Sequence, residues 1–440
     1  MDIAAIDRQG LLRLGTALLG AVIGGAVCAQ DGLFDFQQPV VFELGAIASD
    51  AAVFSESPGS PPDSFAIIHP GANATTVLTP AGDGFFAAGD LLDLPGSPTA
   101  IVSADLDGDG DDDAALVLAS SKRLIFLENN AGTLSVIRAH QLNSPPTAAV
   151  AGDLNGDGVM DLAVTLPAIS RVEVLHGNSE EAFSYTSFAQ FNFGSTPAGV
   201  ACGDFNDDGQ LDLAVSNEFA STVTIGLATT VHTYAIQPSL AVGRRPRGIT
   251  AARVNRDELD DLLVSNTSTG TISYLRNEGG TFAAQQQLPA GVQPTRVITV
   301  DIDRDLNMDL AVALSGEAAA VTLRQSTDGT FAYQKYTLPE RGAAIAAIDA
   351  NGDDAFDLVV TAQAASNAML LINATPSAGP RCLGDTDGNL FINITDFVNV
   401  LSNIGTTGDD LPTDVNLDGV VDAADFITVL MNFGNTCGES

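Results

Sequence analysis

Asp153-Leu154-Asn155-Gly156-Asp157-Gly158-Val159-Met160-Asp161-Leu162 decides how the rest of the chain is read. Oxygen-bearing side chains stand at relative positions 1, 3, 5 and 9. Gly158 at position 6 permits a sharp turn, and Val159 at position 7 can offer its carbonyl. That pattern suits Ca²⁺, a hard cation that takes six to eight oxygens. The Glu that closes a helix–loop–helix calcium loop at position 12 is missing. The residues that follow (Leu162-Ala163-Val164) are apolar and β-prone, so the loop joins two strands.

The loop recurs. Its copies offer Asp105, Asp107, Asp109, Asp111 and Asp113; Asp153, Asn155, Asp157, Val159 and Asp161; Asp204, Asn206, Asp208, Gln210 and Asp212; Asp301, Asp303, Asp305, Asn307 and Asp309; and Asp349, Asn351, Asp353, Ala355 and Asp357. A damaged copy begins at Arg253, with a cation at position 1. No Ca²⁺ is expected there, the guanidinium substituting through Asp257 or Asp261. The copies starting at Asp301 and Asp349 lack the position 6 Gly (Leu306, Asp354). Successive starts are 48, 51, 49, 48 and 48 residues apart. Pro98, Pro146, Pro197, Pro246 and Pro294 each lie seven residues before position 1, which confirms the register. A period near 50 with short strands indicates a propeller or array.

Each repeat reads as four strands: an apolar run ending at the loop, the run after it, an alternating run such as Arg171–Leu175, and a run opening on Phe. A worn first copy starts at Asp50, with Asp63-Ser64-Phe65-Ala66-Ile67 standing for Asp-Leu-Ala-Val. The seventh repeat stops one strand short, near Ile372, and residues 34–44 supply the missing strand. The expected fold is all-β: a seven-bladed propeller over 30–373, closed by its N-terminal strand, which removes open sheet edges.

Pro197 to Val215, with Gly203-Asp204-Phe205-Asn206 and Asp212-Leu213-Ala214-Val215, resembles the FG-GAP/VCBS repeat family, and the likeness runs over roughly 34–373. The resemblance implies a calcium-binding propeller like the integrin α-chain head, with about five Ca²⁺.

After a breaker-rich linker, 374–381, a different repeat begins. Asp385, Asp387, Asn389, Phe391, Asn393 and Asp396 form one loop. Asp414, Asn416, Asp418, Val420, Asp422 and Asp425 form the other. Each runs into a helical period. Residues 382–440 resemble a type I dockerin, which implies a small α-helical module with two Ca²⁺ and a cohesin-like receptor as partner. Cys382 and Cys437 bracket this segment and make a candidate disulfide in an exported setting. Cys202 falls in a core strand and reads as a buried free thiol.

Asp and Glu outnumber Lys and Arg 55 to 18, a formal net charge of −37. Nucleic acid and anionic membranes are poor partners for such a chain, and cations good ones. Residues 1–29 read as a secretory signal, with Arg8 and Arg13, an apolar stretch from Leu14 to Ala26, and cleavage before Gln30. The stretch is too short to span a membrane comfortably, and none later is long enough. The expected location is extracellular or cell-surface.

Arg244, Arg245, Arg247, Arg296 and Arg341 gather in the connections before the first strands of repeats five to seven. They make a candidate anion site, for an acidic glycan or a partner carboxylate. Local pairing with Asp and Glu is the commoner fate of surface charges and the favoured reading. The four His occupy different repeat phases, and no nucleophile elbow, zinc pair or phosphate loop is present, so no catalytic residue is assigned. Two functions follow: a secreted, calcium-dependent scaffold or adhesion protein with a glycan or protein ligand, or a carbohydrate-active enzyme, a polysaccharide lyase or glycoside hydrolase.

Overall fold

The structure is a computed structural model. It describes residues 34–375, apart from 56–63, 83–84, 131, 230–232, 256, 258, 306, 327–328, 352 and 354, together with a few isolated positions beyond. The expected signal segment, the helical tail with its two loops, and the Cys382–Cys437 pair lie outside the described residues.

Seven antiparallel sheets follow one another along the chain. Blade 3 is typical: Ala149–Gly152, Asp161–Leu166, Arg171–Gly177 and Tyr185–Phe191, each paired with the next. Burial explains the composition of each strand. The second strand is buried along its whole length in every blade, as in Asp161–Leu166, Asp212–Asn217 and Asp309–Leu314. A strand covered on both faces by neighbouring sheets must be continuously apolar, and Leu-Ala-Val runs meet that demand. The fourth strand is outermost and alternates, as in Phe331–Thr337.

The innermost strands approach closely. Ser103 Oγ donates to Val53 O at 2.7 Å, Thr250 Oγ1 to Val297 O at 2.9 Å and Thr295 Oγ1 to Ala343 O at 3.0 Å, each crossing to an adjacent blade. Gly199 marks one such approach: a Cβ there would lie 2.3 Å from Arg247 O.

The ring closes as the sequence requires. The last sheet runs Val40–Glu43, Asn367–Leu371, Asp357–Ala362, Gly342–Ile348, with Val40 opposite Leu370 and Glu43 opposite Asn367. Ala374 N donates to Asp35 O at 2.7 Å. Phe34 is buried, and its carbonyl accepts from Gln334 Nε2 and Tyr336 OH on blade 6.

Blade 1 corrects one expectation. Asp50 does not open a loop; it begins the inner strand Asp50–Phe54, and Phe54 pairs with Ser64 as Ala104 pairs with Asp113. Ser64 therefore holds the place expected for Asp63. Phe65 faces Leu78 as Leu162 faces Leu175.

Candidate metal centres and channel mouth

The loops after the first strands wind around their own carboxylates. In blade 3, Asp153 Oδ1 accepts Gly156 N at 2.7 Å and Asp157 N at 3.1 Å, and its Oδ2 accepts Gly158 N at 2.8 Å. Asn155 Oδ1 accepts Asp157 N, and Asp157 Oδ1 accepts Val159 N, both at 2.9 Å. The last two are Asx turns, a side-chain oxygen accepting from the N–H two residues on. Gly158 sits at φ +85°, where a side chain would be strained. Blade 4 repeats the scheme with Asp204 and Asp208, and there Asn206 Oδ1 is buried without a partner.

In blade 2, Asp105, Asp107 and Asp109 each bring a carboxylate oxygen within 4.8 Å of the others. Asp111 at position 7 is 5% exposed, and its Oδ1 is buried with no hydrogen-bond partner. Burial and the neighbouring carboxylates push Asp111 up to about 6. A hard divalent cation would answer both the converging charges and the orphaned oxygens, so these residues fit Ca²⁺.

Position 9 behaves differently. Asp161 Oδ2 accepts Leu154 N at 3.2 Å, and its Oδ1 accepts Gly177 N at 2.8 Å. Asp113, Asp212, Asp309 and Asp357 do the same, each joining the start of its loop to the end of the third strand. Asp261 keeps this clamp in the damaged loop, binding Asn277 N at 2.7 Å, Asn255 N at 3.4 Å and Tyr274 OH at 2.9 Å. Position 9 therefore has a structural duty wherever it occurs. The signal was in the sequence: Asp261 persists although position 1 is Arg253. Burial raises Asp113 and Asp161 to about 7, Asp309 to about 8, and Asp212 and Asp357 to about 6.

Blades 5 to 7 depart further. Arg253 is exposed, and its field acts on Asp260. Asp257 instead binds Asn255 Nδ2 and Leu259 N, so the expected pairing of Arg253 with Asp257 or Asp261 is not the arrangement found. Asn255 Oδ1 is buried without a partner here too. In blade 6, Asp301, Asp303 and Asp309 converge, while Asn307 N bonds Asp305 Oδ1 at 2.9 Å. Arg324 Nη2 stands 2.5 Å from Asp303 Oδ2 and 3.7 Å from Asp305 Oδ2. In blade 7, Asn351 Nδ2 bonds Asp353 Oδ2, Asp353 N bonds Asp349 Oδ1, and Ala355 N bonds Asp353 Oδ1. Arg304 of blade 6 reaches Asp353, donating to its carbonyl at 3.0 Å.

On the opposite face the inner strands surround a cavity of about 500 Å³. Arg296 spans its mouth from blade 6 to blade 1, donating to Asp50 Oδ1 at 2.8 Å and Ala51 O at 3.0 Å. Arg247 bonds Glu218 at 3.0 Å, Arg245 lies 3.6 Å from the same carboxylate, and Arg245 also covers the Phe219 ring. Arg244 and Arg341 are exposed. Three of the five candidate anion-binding arginines are thus neutralised locally, as the favoured reading expects, and they do not converge as free charges. Sequence spacing missed the acidic partners Glu218 and Asp50, which meet the arginines only through the ring. Among the described residues no histidine lines the cavity; His69 is fully buried and His176 stacks on Phe188. Cys202 donates to Ala151 O at 3.4 Å, and burial pushes its thiol up to about 11, as an inert cysteine requires.

A family model described as an FG-GAP-like repeat matches residues 105–164 and 253–312. No curated protein matches the chain. Two solved structures share the fold. BBS1N, crystallised in complex with ARL6DN and soaked with lead, is 14% identical with a TM-score of 0.54, over 77% of this chain and 96% of that one. A functionally unknown protein from Desulfotomaculum acetoxidans DSM 771 is 10% identical with a TM-score of 0.50, over 68% of this chain and 92% of that one. Among the described residues no helix is long and apolar enough to cross a membrane. The chain is a seven-bladed β-propeller that carries FG-GAP-like repeats at 105–164 and 253–312.

Proposed function

We infer that the protein is an exported, calcium-dependent binding scaffold. Its propeller is the ligand platform, and its dockerin-like tail attaches it to a cohesin-like receptor at a cell surface or in an extracellular complex. One observation carries the reading: the propeller's acidic loops share one end of the blades, and a walled cavity opens at the other. Asp105, Asp107, Asp109 and Asp111 would hold Ca²⁺ in blade 2; Asp153, Asn155 and Asp157 in blade 3; Asp204, Asn206 and Asp208 in blade 4. The ion would neutralise carboxylates and fix the loop, a structural service that couples metal binding to folding. The ligand would be a glycan or protein seated over the cavity mouth, where Arg247–Glu218 and Arg296–Asp50 present paired charges beside exposed Phe219.

The second reading is a carbohydrate-active enzyme, favoured by the tail's resemblance to modules that accompany polysaccharide-degrading domains. Incubating the full chain with pectin, alginate and related polymers separates the two. The scaffold reading expects retention of polymer with neither unsaturated product in the ultraviolet nor new reducing ends; steady growth of either overturns it.

A further inference from the structure

The metal face is not uniform, and its unevenness follows the arginines. Among the described residues no ion pair reaches the loops of blades 2, 3 and 4. In blade 6 a guanidinium lies against two of the carboxylates that would otherwise take a cation. Arg324 is the last but one residue of the third strand, Ala319–Gln325, immediately before Gln325, whose N–H binds Asp309 Oδ1. Leu310 pairs with Leu323, so the fold places residue 324 beside the loop. The corresponding residues elsewhere are Glu128, His176, Leu227, Arg276 and Ile372. Arg276 turns outward to Glu278 at 2.7 Å. Arg324 alone of these six puts a positive charge on its own loop.

We propose that Arg324 is the resident counter-ion of the blade 6 loop, so that this loop stays closed without a divalent cation. The inference rests on the calcium reading of the other loops. Asp303 is buried and faces Arg324 at 2.5 Å. A guanidinium in that place gives Asp303 and Asp305 the positive charge a metal would supply, as an ion pair held by charge, since neither Asp303 oxygen has a hydrogen-bond partner. For Ca²⁺ to take Asp303 Oδ2, Arg324 must leave, so the ion has to displace the site's own side chain. Arg304 carries the arrangement on, placing a second guanidinium against the blade 7 loop at Asp353.

The test counts Ca²⁺ bound to the full chain by native mass spectrometry, at a free concentration just saturating the wild type. Asp107→Ala in blade 2 is expected to lose one ion. Asp303→Ala, the same position in blade 6, is expected to lose none, and Arg324→Gln to gain one. A lost ion in Asp303→Ala, or an unchanged count in folded Arg324→Gln, overturns the proposal. Should Arg324→Gln fail to fold, the Asp303→Ala count decides by itself. An unchanged count in Asp107→Ala speaks against the calcium reading of blade 2, and the difference between Arg324→Gln and wild type still decides blade 6.

Discussion

Blades 2–4 and blades 5–7 share one backbone plan and solve one electrostatic problem in two ways. In blades 2–4 the loop carboxylates accept from backbone N–H groups and, at Asp208, from Asn206 Nδ2, with Gly110, Gly158 and Gly209 at position 6 and no cationic side chain against them among the described residues. In blades 5–7 that glycine is absent from the sequence, and an arginine stands in or beside each loop: Arg253, Arg324 and Arg304. Position 9 is the same in both halves. The comparison separates two roles that a single motif conceals: a clamp that blades 2–7 share and, on the proposed reading, a cation demand that blades 2–4 meet from solvent.

Chelation should have the largest effect. Each ion held at 100 times its Kd adds about 2.7 kcal/mol. Stripping metal from blades 2–4 should therefore cost several kcal/mol and lower the melting temperature by on the order of 10 °C. Calorimetry with and without chelator reads this directly. Hydrogen exchange should show the loops of blades 2–4 opening while that of blade 6 stays protected; uniform opening would erase the distinction.

Removing the clamp comes next. Asp161→Ala and Asp261→Ala each strand two backbone N–H groups in a buried place, at about 1–3 kcal/mol apiece. Urea unfolding should show similar losses in both, although only blade 3 is expected to hold metal. A harmless Asp261→Ala would mean that position 9 serves the ion alone.

A smaller effect is expected from pH. In metal-free protein the carboxyls of Asp113, Asp161 and Asp309 sit at about 7, 7 and 8, against about 3.9 when unfolded. The native state then binds more protons than the unfolded one between these values, so stability must fall as pH rises from about 4 to 8. With Ca²⁺ the trend should reverse, because ligation needs deprotonated oxygens. Denaturation midpoints at pH 5 and pH 8, in chelator and in calcium, check both signs. The smallest change should come from Arg296→Ala on the far face. Its partly exposed pair with Asp50 is worth about 1 kcal/mol or less, and the bound-ion count should not move.

Much of this was legible in the chain. Pro197, Pro246 and Pro294 open inner strands, a place where a missing N–H costs little. The Leu-Ala-Val runs gave the buried strands, and the missing strand after Ile372 gave the closure. Blade 1 was misregistered because Ser55 stands where other loops begin with Asp, leaving nothing to fix the register. Arg324 was missed because it lies 23 residues beyond Asp301, and only strand pairing brings it back. Asp50 and Arg296 meet across a ring that no local pattern encodes.

The most direct test is a crystal of the full chain grown in calcium, with anomalous scattering collected to locate the ions. The account predicts peaks inside the loops that begin at Asp105, Asp153 and Asp204, and guanidinium density against Asp303. A calcium peak bound by Asp301, Asp303 and Asp309 with Arg324 swung away, or empty loops in blades 2–4, would contradict it.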